Sequence, residues 1–288
     1  MKEQIEAVLR MQYYIEENLS SKITLADLSR ESFFSPWYSH RLFYAMLGIT
    51  PADYLRKLRL SKAALKLRDE PSKIIDIAFE SGYGSVDGFQ RAFANEFGRN
   101  PKEYALNPSP LYLFTPYKIE LNKERRETMI ETKNVFIQVV EKPRRKVIIK
   151  RGAEANDYFA YCEEVGCDVW GLLTSIKSIS GEPVCLWLPK QYIKEGTSKY
   201  VQGVEVAVDY AGAIPDSFDV IELPLAKYLM FQGEPFAEEE YCIAIEEVQT
   251  AINKYTPENI GYSWDKDNPR IQLEPIGTRG YIELVPIK

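Results

Sequence analysis

Two stretches of the sequence share one pattern and decide the architecture of the first hundred residues. The first is TLADLSRESFFSPWYSHRLFYAMLGITPADY (24–54), and the second is KIIDIAFESGYGSVDGFQRAFANEFGRNPKEY (73–104). Identical residues recur at an offset of 49 positions, which becomes 50 after a one-residue slip. A repeat of this size indicates one supersecondary module used twice. The matching pairs are Asp27 and Asp76, Glu31 and Glu80, Arg41 and Arg91, Phe43 and Phe93, Gly48 and Gly98, Pro51 and Pro101, and Tyr54 and Tyr104.

Each copy is typical of two short helices joined by a tight turn. In the first copy Ser35 followed by Pro36 marks the start of a helix whose apolar positions face inward. In the second copy Gly82 suits the turn, and Ser85 caps the helix that follows. Between the copies, residues 51–69 predict one continuous amphipathic helix that fixes the separation of the two modules.

The second helix of such a module enters the major groove of DNA and places its N-terminal residues at the base edges. His40 is the only histidine in the chain, and neither a second ligand nor a nucleophile accompanies it. We therefore expect a DNA-facing residue there, with an ordinary polar surface residue as the alternative. Arg56, Lys57, Arg59 and Lys62 are either contacts to the DNA backbone or a solvated helix face. The candidate DNA-binding residues are Ser35, Trp37, Tyr38, His40 and Arg41 in the first module, and Ser85, Asp87, Gln90 and Arg91 in the second.

Residues 5–105 resemble the DNA-binding domain of the AraC/XylS transcription regulators. The motifs that carry the resemblance are AFESGY, RLF and RAF, and GITPADY and GRNPKEY. The resemblance implies an all-α tandem helix-turn-helix domain over 1–107. It also implies that the partners are double-stranded promoter DNA, contacted in two successive major grooves, and RNA polymerase. The second reading helix departs from the family, because Asp87 repels phosphate and Gly88 weakens the helix. That module is expected to position the protein more than it reads sequence.

The chain changes character after residue 107. Pro108, Pro110 and Pro116 predict a linker over 108–133. Residues 134–288 then alternate strand-like and helical patterns in two cycles, in which Lys146–Gly152 matches Lys227–Gly233. The prediction is an α+β domain of two β-α-β-β repeats with one antiparallel sheet. Both helices should lie on one face of that sheet and a groove should cross the other. A second match pairs 203–205 with 281–283.

Residues 137–288 resemble the GyrI-like (Rob-like) effector-binding domain of multidrug-sensing regulators, through RKVIIKRG, YVQGVEVAV and LPLAKYLMFQG. The resemblance implies a small-molecule effector, aromatic or cationic, held by aromatic walls and a carboxylate. Glu274 is the preferred carboxylate. A hydrolase of reactive electrophiles and a protein-docking domain remain the alternatives. The candidate ligand residues are Trp170, Trp187, Glu205, Tyr228, Trp264, Glu274 and Glu283.

Composition limits the other function classes. Residues 1–107 carry 15 Lys and Arg against 14 Asp and Glu, whereas residues 134–288 carry 16 against 24. The acidity therefore belongs to the second half and disfavours a polyanion partner there. No apolar run is long enough to span a bilayer, no signal peptide is recognisable, and the four cysteines show no C-x-x-C spacing. We expect a cytoplasmic, non-enzymatic transcription regulator, more often an activator than a repressor in its family, with no metal, no cofactor and no membrane partner.

Overall fold

The computed structural model describes residues 2–116, 134–237 and 240–288, and the chain divides between residues 125 and 126 into two compact units. The first unit is helical over its described residues. Its helices are α1 (Lys2–Glu17), α2 (Leu25–Ser32), α3 (Pro36–Leu47), α4 (Pro51–Asp69), α5 (Ile74–Glu80), α6 (Val86–Phe97) and α7 (Pro101–Leu106).

The repeated residues of the first unit are helix-capping residues. The Ser35 and Ser85 side chains accept hydrogen bonds from the backbone at the starts of α3 and α6. Gly48 and Gly98 end the same two helices in the left-handed conformation, with φ of 68° in both. The repeat in the sequence is therefore a repeat of helix boundaries.

Helix α4 belongs to the cores of both modules. Tyr54 and Leu58 are buried among α1–α3, whereas Leu60 and Leu67 are buried among α5–α7. Because one continuous helix of about 28 Å serves both cores, the spacing of the modules is fixed.

Three basic residues of α4 are used inside the first unit. Arg56 and Lys57 both bind the Glu96 carboxylate of α6. The Arg59 guanidinium donates to the carbonyls of Leu19 and Ser21 after α1. These contacts hold the two modules together. They give these side chains a role inside the protein, as an alternative to the predicted contacts with the DNA backbone.

The predicted linker begins too early. Residues 108–116 follow the last helix and form no helix or strand, but Leu111 and Leu113 are buried in the core around α4–α7. The Phe114 amide donates to Ser61 Oγ at 2.7 Å, and its ring meets the edge of Tyr54. Prolines end the helix without preventing burial of the apolar residues between them. Residues 117–133 of the predicted linker lie outside the described residues.

The second unit is one eight-stranded sheet with helices packed on it. The strands are β1 (Val135–Lys142), β2 (Arg145–Arg151), β3 (Val184–Trp187), β4 (Tyr200–Val206), β5 (Asp219–Leu223), β6 (Ala226–Gly233), β7 (Arg270–Gln272) and β8 (Ile282–Ile287). The helices are α8 (Tyr158–Val165), α9 (Asp168–Ser175) and α10 (Tyr241–Lys254).

The strand order is β1-β6-β8-β7-β3-β4-β2-β5, and every pairing is antiparallel. Each cycle places two strands before and two strands after its helical segment, which is α8 and α9 in the first cycle and α10 in the second. This is one strand more than the predicted β-α-β-β repeat. The first strand of each cycle pairs with the other cycle, β1 with β6 and β5 with β2. The two halves of the sheet meet where Cys185 of β3 pairs with Gln272 of β7. Strands β5–β8 of the second cycle are equivalent to β1–β4 of the first, so the strand order is symmetric about this pairing.

The predicted open groove is absent from the described part of this sheet. Helices α9 and α10 pack on one face, as expected. However, only residues 143–144 join β1 to β2, although these strands stand six places apart in the sheet order. So short a connection spans about 11 Å at most, and the sheet must curl until its edges approach. Its inner face is then filled by buried apolar side chains, which include Val147, Ile149, Leu186, Val201, Ile271 and Leu284.

Candidate functional sites

Helix α3 presents an aromatic–cation pair on its outer face. Trp37 is 65% exposed, and the Arg41 guanidinium lies 4.5 Å from the centre of its ring. His40 is also exposed and borders a small apolar cleft. These three residues share the surface that Ser35 orients by capping the helix. The surface therefore offers guanidinium donors beside an apolar ring face, which suits base edges and thymine methyl groups.

Tyr38 has a different position from that expected. It is half-buried, its hydroxyl accepts a hydrogen bond from Gln4 Nε2 at 2.7 Å, and its ring meets Phe34 edge-on at 5.0 Å. Tyr38 therefore joins α3 to α1.

Helix α6 places Asp87 and Arg91 at the positions that Trp37 and Arg41 occupy in α3. Both side chains are exposed, and Arg91 Nε donates to the Asp87 carbonyl at 3.4 Å. Gln90 is half-buried beside them, and Ser85 Oγ accepts from the Gly88 amide. A carboxylate has replaced the aromatic ring, so the outer face of α6 is close to neutral.

Sequence reasoning missed Phe33, in the turn before α3. Its φ is 59°, in the left-handed region, and its side chain is 80% exposed. The Arg10 guanidinium lies 4.8 Å from the centre of its ring. The equivalent residue of the second module is Gly82, with φ of 74°. The available signal was a phenylalanine where the other copy has a turn glycine.

We expect Phe33→Gly to be more stable than Phe33→Ala by about 1 kcal/mol, because both lose the Arg10 contact and only alanine keeps the left-handed strain. Gly82→Ala is expected to lower the free energy of unfolding by about 1–2 kcal/mol. A Cβ atom there would also lie 2.7 Å from Arg59 Nη2. Denaturant titration followed by helical circular dichroism measures all three variants. Equal stability of the two Phe33 variants would contradict the strain argument.

In the second unit, Glu205 lies on the inner face within a closed charge cluster. Arg145 Nε donates to Oε1 at 2.5 Å and Lys142 Nζ to Oε2 at 2.5 Å, while Ser180 also contacts Oε2. Arg145 Nη2 donates to the Tyr228 hydroxyl at 3.2 Å. Burial alone would raise the pKa of Glu205, but the charges of Lys142 and Arg145 hold it below the ordinary value. Burial raises the pKa of Tyr228 to about 12. The cluster links four strands and leaves both carboxylate oxygens of Glu205 occupied.

A row of polar side chains crosses the four central strands on the opposite, helix-bearing face. Gln202, Cys185, Gln272 and Glu283 are successive cross-strand partners, and all four are buried. We call these four residues the polar row. Partner side chains in an antiparallel sheet lie on the same face, so the row forms one strip beneath the helices.

The two ends of the polar row differ in their hydrogen bonding. Glu283 accepts from Tyr281 Oη at 2.6 Å and from Arg270 Nε at 2.5 Å. At the other end, the Gln202 amide and the Tyr200 hydroxyl have no nitrogen or oxygen partner among the described residues, and their polar contacts are the thiols of Cys162 and Cys185. Buried polar groups without partners are rare in folded proteins.

The predicted match of Glu205 with Glu283 has the wrong register. Val147 pairs with Glu205, and Tyr228, 81 positions after Val147, pairs with Pro286. The same offset of 81 positions makes Gln202 in the first repeat the equivalent of Glu283 in the second. The predicted match was three residues out, and an odd slip moves a side chain to the other face of a sheet.

The predicted ligand residues therefore fall into separate groups. Trp170 of α9 packs with Cys185 and Tyr200 of the sheet, and Trp187 meets the edge of Tyr200 at 5.2 Å. These two tryptophans lie beside the polar row, and Glu283 is a member of it. Glu205 and Tyr228 lie on the inner face. Trp264 packs beside α10 and forms a bridge to Ile287.

Glu274 does not belong to the polar row. It lies in the loop after β7, where its amide donates to Glu182 Oε2 and its carbonyl accepts from Arg279. Arg279 also forms an ion pair with Glu182. Burial raises the pKa of the Cys185 thiol of the polar row to about 12, and the charge of Glu274 adds to this rise, so Glu274 lies near the row without belonging to it.

Comparison with known proteins identifies the first unit. Residues 28–107 match the family model described as "Helix-turn-helix domain". The regulatory protein SoxS of Escherichia coli K12 is 35% identical over 91 residues, which are 32% of this chain and 85% of SoxS. The transcriptional activator AarP of Providencia stuartii is 30% identical over 94 residues, covering 33% of this chain and 70% of AarP. The chain belongs to the AraC family. It is a DNA-binding transcription regulator.

A solved structure from Chromobacterium violaceum, described as a transcriptional regulator with an AraC-type DNA-binding domain, is 24% identical. It covers 36% of this AraC-family chain and 95% of its own, with a TM-score of 0.33. Among the described residues of the AraC-family chain, no helix is both long and apolar enough to cross a bilayer. The same residues contain no group of three or more His, Cys, Asp or Glu arranged to hold a metal ion.

Proposed function

We propose that this AraC-family regulator inserts α3 and α6 into two successive major grooves of promoter DNA. Arg41 donates to a guanine edge, Trp37 contacts the neighbouring base or sugar, and His40 contacts a base edge or phosphate. Ser85, Gln90 and Arg91 position α6 on its groove with little reading of sequence, and RNA polymerase is the further partner. The observation that carries the proposal is the sharing of α4 by both module cores, which presents two reading helices at one fixed spacing.

Fixed spacing leads to a sharp experimental expectation. A duplex selected by the protein is shortened at the end that α6 contacts, so that it keeps the groove bound by α3 and lacks the next groove on the same face, about 34 Å away. We expect its affinity to fall about 10-fold or more, because the contacts of α6 are lost while those of α3 remain. A duplex shortened by the same number of base pairs in a flank outside both grooves is the control. Unchanged affinity after removal of the second groove would contradict two-groove binding.

We further propose that the second unit senses a small molecule at the polar row. The Gln202 amide and the Tyr200 hydroxyl support this site, because thiols are weak partners and a ligand supplies the stronger hydrogen bonds that the protein does not. Trp170 and Trp187 are its aromatic walls. Sensing requires the ligand to bind the active and inactive states with different affinities, and promoter activation is the expected output.

A further inference from the structure

We infer that the ligand at the polar row is an uncharged planar molecule with adjacent hydrogen-bond donor and acceptor groups, such as an aromatic amide, and not an organic cation. The inference rests on the proposed sensing function and names its ligand class. It differs from the expected cationic ligand because the charged groups around the row already interact with one another.

The carboxylate within the row is neutralised by the protein itself. Glu283 is fully buried and paired with Arg270, and it also accepts from Tyr281 and, at 3.5 Å, from Gln249. Both oxygens of the carboxylate are therefore occupied. A cation that used Glu283 as its counter-charge would have to displace the Arg270 guanidinium from the carboxylate.

The cation site on the aromatic wall is also filled. The Arg270 guanidinium lies 5.2 Å from the centre of the Trp187 ring, which is the geometry of a cation–π contact. The Trp187 indole nitrogen donates to the Asn156 carbonyl at 3.1 Å, which holds the ring in place. A second cation on this ring would meet the like charge of Arg270.

The groups that remain open are neutral and carry both hydrogen-bond functions. The Gln202 side chain is 1% exposed, and its amide oxygen and nitrogen both lack a nitrogen or oxygen partner among the described residues. The Cys162 thiol lies nearby, and burial and the neighbouring Cys167 raise its pKa to about 12. A protonated thiol is only a weak partner. A glutamine amide forms two hydrogen bonds with a ligand edge that carries a donor beside an acceptor, as it does with the edge of adenine.

The helices above the row provide flat surfaces. Phe159 of α8 is 49% exposed, and its ring centre lies 6.5 Å from that of Tyr241 at the start of α10. Tyr200 and Trp187 meet edge to face on the sheet, with their ring centres 5.2 Å apart. Aromatic rings around one planar amide edge favour a flat ligand.

The test uses the full-length protein and isothermal titration calorimetry with matched probes. The probes are nicotinamide and quinoline-3-carboxamide, each compared with its N-methylated cation. We expect the neutral amide of at least one pair to bind at least 10-fold more tightly than its cation. Gln202→Leu should reduce that affinity at least 10-fold, whereas Gln191→Leu, at an exposed glutamine that donates to the Asp267 carbonyl, should not change it.

The stability of Gln202→Leu provides a second measurement. Replacing an unpartnered buried amide by an apolar side chain of similar size should raise Tm or leave it unchanged, which shows that the variant folds. Preference for the cations, or binding indifferent to Gln202→Leu, would overturn the inference. If cation binding also disappeared in Glu274→Gln, the sensing function would stand with Glu274 as the counter-charge. If no probe bound, and a wider panel of neutral, anionic and cationic aromatics also failed, the sensing function would fall with the inference.

Discussion

Replacing Arg145 by methionine is expected to lower the free energy of unfolding of the second unit by about 3–5 kcal/mol. Arg145 and Glu205 are both fully buried, and the substitution leaves the Glu205 carboxylate inside the curled sheet with Lys142 as its remaining charge partner. It also removes the hydrogen bond from Arg145 to the Tyr228 hydroxyl. Breaking one side of a buried ion pair costs far more than losing a surface pair, because the stranded charge cannot reach water.

The neighbouring Arg144 is a matched control. Its side chain is 66% exposed and pairs with Glu222 at the surface, so Arg144→Met should change stability by less than about 1 kcal/mol. Three of the four tryptophans lie in the second unit, so denaturant unfolding followed by tryptophan fluorescence reports mainly on it. Equal effects of the two substitutions would refute a buried charge cluster.

The Arg145 effect should also depend on pH. The pKa of Glu205 lies below its ordinary value of 4.5 in the folded protein. A depressed carboxyl pKa contributes stability above the unfolded-state pKa, and that stability is lost as the pH falls through the folded-state pKa. The stability difference between the wild type and Arg145→Met should therefore be largest near neutral pH and shrink below about pH 4.5.

Replacing Arg41 by alanine is expected to weaken binding to the selected DNA site by about 10–100-fold, the loss typical of a two-point contact to guanine. Binding to random DNA should change much less, because phosphate contacts supply most non-specific affinity. Alanine also removes the guanidinium that stacks on Trp37. Fluorescence anisotropy with the selected and random duplexes at one salt concentration measures both affinities.

Two further arginines make this experiment specific. Arg30 lies on α2 and pairs with Asp27, so Arg30→Ala should leave the ratio of specific to random binding unchanged. Arg91→Ala should weaken both kinds of binding by a similar, smaller factor, because α6 presents Asp87 beside it. If Arg91→Ala lost as much specificity as Arg41→Ala, the two modules would contribute equally to sequence recognition.

Local chemistry explains why so much of the first unit was predictable. Serine caps, a proline in the first helical turn and glycines at helix ends all act within a few residues, so the repeat showed where α3 and α6 begin and end. The same locality explains the error over 108–116. The prolines there report the end of a helix, whereas the burial of Leu111 and Leu113 depends on α4, more than forty residues earlier.

The second unit was less predictable because its site depends on distant pairings. Alternating patterns predicted the strands, but the partner of each strand and the curl of the sheet follow from short connections between strands far apart in the order. Glu205 and Glu283 look alike in sequence, both carried by β-branched strands. Their opposite faces became evident only from the register of β4 with β2 and of β8 with β6.

The sequence by itself determined that this chain carries two helix-turn-helix modules on one helix, because capping and hydrophobic spacing are local properties that repetition makes unmistakable. Only the tertiary structure decided which polar side chains of the second unit are satisfied. Arg145 neutralises Glu205 and Arg270 neutralises Glu283, while the Gln202 amide has no nitrogen or oxygen partner among the described residues. Whether a buried polar group has a partner depends on strands that the fold brings together, such as those of Arg145 and Glu205, which are 60 residues apart in sequence. No local pattern encodes that pairing.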